Sequence, residues 1–148
     1  EEKMETEPQK ILGTWNGSHF EDAQLRISAL THRVNVRDGH LEACSVKLKS
    51  KASVEEIKKA FENFTSVIDD MELPSAPAPL MFVEEDLTRP QPRLDRNRAN
   101  GMAVIIGPIR PCNVLDYKFR LLSHNTIRGA AGAAILNAEL LYKQGLIG

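Results

Sequence analysis

The densest cluster of chemically able side chains is Arg33-Val-Asn-Val-Arg-Asp-Gly-His40-Leu-Glu42. A guanidinium offers a planar fork that fits a carboxylate through two parallel hydrogen bonds. An imidazole exchanges a proton near neutral pH, as a general acid or base must. Residues 40–48 alternate, with His40, Glu42, Cys44, Val46 and Leu48 on one side, so ionisable groups continue an apolar stripe as they would at a pocket rim. If Asp38-Gly39 closed a two-residue hairpin, Arg33 and His40 would share a face, roughly 13 Å apart at ~3.3 Å per residue. The plainer reading stands beside this one. A histidine at a strand end is commonly a sheet-edge polar group, Arg33 can pair with a surface carboxylate, and Glu42 can be solvated.

Other groups promise less. Cys44 sits on an apolar stripe and Cys112 follows Pro111; two cysteines give neither a disulfide framework nor metal-site spacing, so no metal is expected. A thiol in apolar surroundings is a poor thiolate. Arginines 89, 93, 96 and 98 alternate with Asp86 and Asp95 and lack interleaved aromatics, which favours a solvated or interface loop over a nucleic-acid patch. His19 and His32 read as structural or exposed, and His124 is given no role.

The elements that must position these groups can be read from patterning. Glu1–Leu12 is helix-like, with Pro8 expected to break or start it. Gly13–Asp22 is turn-rich, and Gln24–Val36 reads as extended. Ser53-Val-Glu-Glu56 is a capping box, and the helix it opens buries Val54, Ile57, Phe61 and Phe64. Leu73–Leu80 and Arg89–Gly101 read as loop. Met102–Ile106 is a strand candidate, and the alternation of Leu115, Tyr117, Phe119 and Leu121 marks a half-buried strand. Residues 126–143 form a helix with a thin Gly/Ala surface, closed by Gly145. Strands interleaved with helices give an α+β fold: a mixed sheet with helices packed on one face and the other face available for dimerisation.

Composition narrows the function. The 148 residues are 42% apolar and 26% charged, as in an ordinary globular domain. A net charge of −1 leaves no basic field for nucleic acid or an anionic membrane, and no apolar run is long enough to span a bilayer. Two cysteines and no signal-peptide pattern point to the cytoplasm. The opening Glu1-Glu2-Lys3-Met4, in the middle of a polar helical run, reads as the start of a fragment cut from a longer chain.

Several segments then converge on one family. Arg33 with His40 seven positions later, followed by Glu42-Ala43, resembles the substrate-binding segment of aspartate-β-semialdehyde dehydrogenases. Glu1-Glu-Lys-Met4 with Gln9-Lys-Ile-Leu12, Arg89-Pro-Gln-Pro-Arg-Leu-Asp95, Asn100-Gly-Met-Ala103 and Ser123-His-Asn-Thr-Ile-Arg-Gly-Ala-Ala131 resemble its fungal and archaeal-type branch, in order along nearly the whole chain. The resemblance implies a single C-terminal catalytic and dimerisation domain, 1–148, with the fold of the glyceraldehyde-3-phosphate dehydrogenase C-terminal domain. It implies NADPH-dependent reductive dephosphorylation of β-aspartyl phosphate to aspartate-β-semialdehyde, through a thioacyl intermediate on a cysteine, in the aspartate pathway to threonine, methionine and isoleucine.

Position by position, His40 matches the family's acid/base histidine and Arg33 the arginine that grips the substrate α-carboxylate. Lys3 matches a lysine that contacts phosphate; its usual glutamate companion would fall before residue 1. Asn125 matches the position that reaches the nicotinamide of NADP. The nucleophilic cysteine in its Ser/Asn-rich turn and the Gly-rich dinucleotide fingerprint are not found here; Gly129-Ala-Ala-Gly132 lies inside a helix. Those parts belong to an N-terminal NADP-binding domain absent from the chain, on which the helix 126–143 would pack. The domain alone is therefore expected to be inactive, and to form a homodimer or tetramer that takes β-aspartyl phosphate and inorganic phosphate. The alternative is a stand-alone dimerisation or regulatory module that kept the fold without the chemistry.

Overall fold

The computed structural model describes residues 1–148, which divide into two compact units, Glu1–Asn35 and Val36–Gly148.

In the first unit, helix α1 (Glu2–Ile11) runs straight through Pro8. Proline removes one backbone donor from the helix interior, a real cost. Side chains reinforce both flanks: the Thr6 hydroxyl donates to the Glu2 carbonyl and the Gln9 amide to the Glu5 carbonyl, at 2.9 and 3.0 Å. A small hairpin follows, β1 (Thr14–Trp15) against β2 (Phe20–Glu21), where a loop alone was expected. Its turn closes because Asn16 Oδ1 accepts from the amides of Ser18 and His19, and the Trp15 and Phe20 rings meet at 5.3 Å. Residues 24–36, read as extended, join no sheet and have no ladder partner. Leu25, Ile27, Leu30 and Val34 are exposed, so the apolar positions found no face to bury against within this unit.

The second unit is built on a four-stranded mixed sheet of order β3–β6–β5–β4: β3 (His40–Val46), β4 (Met81–Val83), β5 (Val104–Pro111) and β6 (Tyr117–Ser123). The β3–β6 and β6–β5 pairs are antiparallel and β4–β5 is parallel. Strand β4 went unread in the sequence because three apolar residues between a proline-rich loop and Glu84-Glu85 carry no period. Gly107 sits at the bulge in β5 with φ +125, and a Cβ there would strike the Glu84 backbone.

Register sorts the side chains. His40, Glu42, Cys44 and Val46 stand opposite Ser123, Leu121, Phe119 and Tyr117, all on one face with Ile106. Helix α2 (Val54–Glu62) covers this face, packing Phe61 edge-on against Phe119 at 5.7 Å. Its capping box is complete, Ser53 and Glu56 each accepting from the other's backbone. On the opposite face, Ile105 and Leu122 are fully buried beneath residues 84–101, which include helix α3 (Pro92–Asp95). Leu41, Ala43 and Ser45, on the β3 side of that face, stay exposed.

A second core joins Leu73, Met102 and Leu136. Leu136 comes from α4 (Gly132–Lys143), entered through a π-helical turn at Ile127–Ala131. Two bonds close α4: Gly145 N–H to the Tyr142 carbonyl and Leu146 N–H to the Leu141 carbonyl, with Gly145 at φ +70. This is the Schellman pattern that glycine favours. Ile135, Leu141 and Tyr142 of α4 remain exposed. No helix is long and apolar enough to cross a membrane.

Candidate active site

His40 is the first residue of β3, in register with Ser123, and it is exposed. Its ring makes no hydrogen bond or ion pair within the chain, so the imidazole is uncommitted. The backbone beneath it is fixed. Gly39 is buried at φ +107, and a Cβ there would come within 3.2 Å of both Leu122 Cδ1 and Pro92 Cβ. Only glycine fits that combination comfortably. The Gly39 N–H donates to Asn125 Oδ1 at 2.8 Å, tying the turn before β3 to the segment after β6.

The floor of the turn is held by a buried charge. Pro92 belongs to α3, and Asp95 at its end is fully buried. Asp95 accepts from Arg89 Nε and from the Gln91 N–H at 2.7 Å each, from Arg89 Nη2, and faces Arg98 Nε at 3.3 Å. Burial pushes its carboxyl up, but the Arg89 guanidinium, the Gln91 amide and the Arg98 charge outweigh that and hold it below the usual carboxylate range. Arg98 also pairs with Glu84 and lies 5.0 Å over the Phe82 ring. The arginines read from sequence as a solvated or interface loop are partly structural: Arg89 and Arg98 lock the segment that supports Gly39.

In the first unit, Lys3 lies in the first turn of α1 and Arg33 follows the extended stretch; both are exposed and neither has an ion-pair partner in the chain. Lys3 is flanked by two carboxylates that sequence reasoning passed over. Glu5 Oε1 accepts from the Ala29 N–H and Glu1 Oε1 from the Thr31 N–H, both at 2.7 Å. The Thr31 amide and hydroxyl hold the Glu1 carboxyl below its ordinary range. Acidic residues four apart on a helix were the available signal, but helical periodicity treats them as solvent-facing.

The structure therefore groups Lys3 with Arg33 in one unit and His40 with Asn125 in the other. The hairpin that would have put Arg33 and His40 on one face does not form: residues 24–36 form no strand, and β3 pairs with β6 alone. Neither cysteine resembles a nucleophile beside a base. Burial, then Glu42, pushes the Cys44 thiol up. The Leu115 and Val114 amides draw the Cys112 thiol down, but its side-chain partner is Ser45, which is no base. His124 is buried, its Nδ1 3.3 Å from Thr126 Oγ1, as a structural histidine would be.

Residues 1–128 match the family described as semialdehyde dehydrogenase, dimerisation domain. The aspartate-semialdehyde dehydrogenase of Archaeoglobus fulgidus is 48% identical over 147 residues, covering 99% of this chain and 42% of that protein. The Schizosaccharomyces pombe enzyme of the same name is 45% identical, covering 99% and 43%. A crystal structure of aspartate semialdehyde dehydrogenase with NADP from Candida albicans superimposes with a TM-score of 0.90 at 40% identity, covering 99% of this chain and 43% of that one. The chain spans about two fifths of the length of the relatives it matches. With a mixed sheet covered by helices and a match through most of its length, the chain belongs to the semialdehyde dehydrogenase dimerisation-domain family.

Proposed function

We propose that this chain is the C-terminal substrate-binding and dimerisation domain of an NADP-dependent aspartate-semialdehyde dehydrogenase, acting in the cytoplasm within a longer polypeptide. The longer enzyme converts β-aspartyl phosphate to aspartate-β-semialdehyde and inorganic phosphate. His40 handles the proton of the attacking thiol and of the hemithioacetal, Arg33 grips the substrate α-carboxylate, and Lys3 contacts the phosphate. The thiol itself comes from outside the chain, since Cys44 and Cys112 lack the setting for it.

The residues present fit only a small part of NADP. After β4 the chain continues Glu84-Glu85-Asp86, which would repel a phosphate, and at Gly132 the space a phosphate cradle would need is taken by Met102 and Ile127. Asn125 is the residue that the family resemblance assigns to the nicotinamide, and its side chain is free to serve: its oxygen is engaged by Gly39 while its Nδ2 donor has no partner in the chain. When bound, NADPH supplies the hydride. A dinucleotide held mainly by a separate N-terminal domain, on which α4 packs its exposed Ile135, Leu141 and Tyr142, accounts for both facts. The homodimer, or a tetramer built from it, would use the exposed Leu41, Ala43 and Ser45 face of the sheet.

One observation carries the reading of the site: an uncommitted imidazole on a buried, glycine-fixed turn, in a chain 48% identical to a named dehydrogenase. A reading as a stand-alone regulatory module has less support, because the relatives matched over 99% of the chain are named as enzymes. The test is His40→Ala in the longer enzyme. Loss of an acid/base group lowers kcat by about 10²–10⁴-fold, with the fold intact by circular dichroism. An active His40→Ala enzyme contradicts the assignment.

A further inference from the structure

We propose that Glu5, seconded by Glu1, is a positioning residue that sets where Arg33 meets the substrate carboxylate. The inference rests on the role proposed for Arg33 above, and on a match of two repeats. Four residues of helix rise ~6 Å, and two residues of extended chain span ~6.6 Å. Glu1, the N-cap of α1, and Glu5 are four apart, and the amides they receive, Thr31 and Ala29, are two apart. The two carboxylates thus form rungs of one ladder, with both bonds at 2.7 Å. A third tie, from the Ala23 N–H to the Gln9 carbonyl at 2.8 Å, fixes the other end of the segment.

Direction follows from the pairing. Glu5 holds Ala29 and Glu1 holds Thr31, so the segment runs antiparallel to α1, toward its N-terminal end. Arg33 leaves the chain two residues later, ~6.6 Å beyond the last rung. Lys3 lies on α1 between the two rungs. The same pair of carboxylates therefore registers the guanidinium against the helix that carries the ammonium. Beyond the bonds to Glu1 and Glu5 and the Leu25 N–H, which donates to the Ala23 carbonyl at 2.8 Å, no hydrogen bond within this unit holds residues 25–33: they have no strand partner, and their apolar side chains are largely exposed. Charge-assisted N–H bonds to a carboxylate are the stronger kind, which suits a segment with no core beneath it.

Glu5 is the rung to test, in the longer enzyme, by steady-state kinetics of Glu5→Ala, Glu5→Gln and Arg33→Ala. Glu5→Ala removes the acceptor and raises KM for β-aspartyl phosphate about tenfold, while kcat and KM for NADPH stay within about twofold. Glu5→Gln keeps an oxygen acceptor and restores KM to within about threefold of wild type. Amide exchange at Ala29 rises in Glu5→Ala and not in Glu5→Gln, which separates a freed segment from a misfolded protein. If Arg33→Ala raises KM but Glu5→Ala does not, the ladder is overturned and the role of Arg33 stands. If Arg33→Ala itself leaves KM unchanged, the reading of Arg33 falls and the proposal with it. Equal loss in Glu5→Gln and Glu5→Ala also overturns it, because the acceptor oxygen would then not be what matters.

Discussion

His40 leaves a turn whose backbone is packed between Leu122, Pro92 and Arg96, whereas Arg33 leaves a segment whose neighbours Leu30 and Val34 are 78% and 67% exposed. The first is fixed by burial: a glycine that no other residue replaces easily, a side-chain amide from 86 positions away, and a buried aspartate under two arginines. The second is fixed by surface carboxylates that receive backbone amides. The difference suits the roles proposed for the two groups. A proton-transfer group, as proposed for His40, needs its backbone held in one place, which the packed Gly39 turn provides while the ring itself stays exposed. A carboxylate-gripping arginine has a long side chain of its own, so two well-placed rungs are enough to register its backbone.

The sharpest way to break the comparison is at Asp95. Asp95→Ala leaves Arg89 and Arg98 facing each other without their shared counter-charge, and removing one partner from a buried ion pair costs about 3–5 kcal/mol. Urea unfolding of the chain measures it; a loss under about 1 kcal/mol, the worth of a surface pair, would mean that the His40 turn is not core-held. Gly39→Ala comes next. A Cβ at φ +107, against Leu122 and Pro92, costs about 1–3 kcal/mol and shifts the His40 ring resonances.

Asn125 offers a finer cut. Asn125→Ala leaves the Gly39 N–H without its partner, costing about 1–2 kcal/mol, and raises exchange of that amide. Asn125→Asp keeps an acceptor oxygen and protects the Gly39 amide, while losing the Nδ2 donor proposed for the nicotinamide. In the longer enzyme it should therefore weaken NADPH binding without disturbing the turn. Equal exposure of Gly39 in both variants would sink this division of labour within one side chain.

The smallest effect is pH dependence, where the two regions should part. Both Asp95 and Glu1 have folded-state pKa values depressed below those of a free carboxylate. Each therefore contributes stability that is fully present above the unfolded value, about pH 4, and is lost as pH falls through the lower folded value. Exposed Glu1 gives a local signal, a rise in Thr31 amide exchange below about pH 4 with little global unfolding. Loss of the Asp95 pair instead lowers global stability. If Thr31 exchange stays flat from pH 6 to about pH 3, the Glu1 rung does not hold the segment.

These contrasts also explain what could be read beforehand. The capping box at Ser53–Glu56 and the closing Gly145 obey local rules and formed where the pattern put them, and the alternating runs over 40–48 and 115–121 formed strands at 40–46 and 117–123. The candidate histidine stood out in the sequence because Asp38-Gly39 announced a turn before an alternating run. The groups that hold its turn did not, since Asn125 bonds Gly39, and Pro92 of the helix that Asp95 ends packs beside it, only through the tertiary fold. Residues 24–36 show the opposite failure. Their apolar positions read as a strand, but two of their amides go to Glu5 and Glu1, and no ladder is available. The π-helical turn at Ile127–Ala131 sits in a Gly/Ala run whose side chains carry no preference strong enough to announce it.

The most direct measurement is a crystal structure of the longer enzyme with a carboxylate-bearing substrate analogue. The account predicts both Arg33 terminal nitrogens within about 3 Å of the two carboxylate oxygens, and the His40 imidazole within about 3.2 Å of the reacting thiol or carbonyl. An analogue bound elsewhere, with Arg33 in solvent and His40 turned from the reacting atoms, would contradict it.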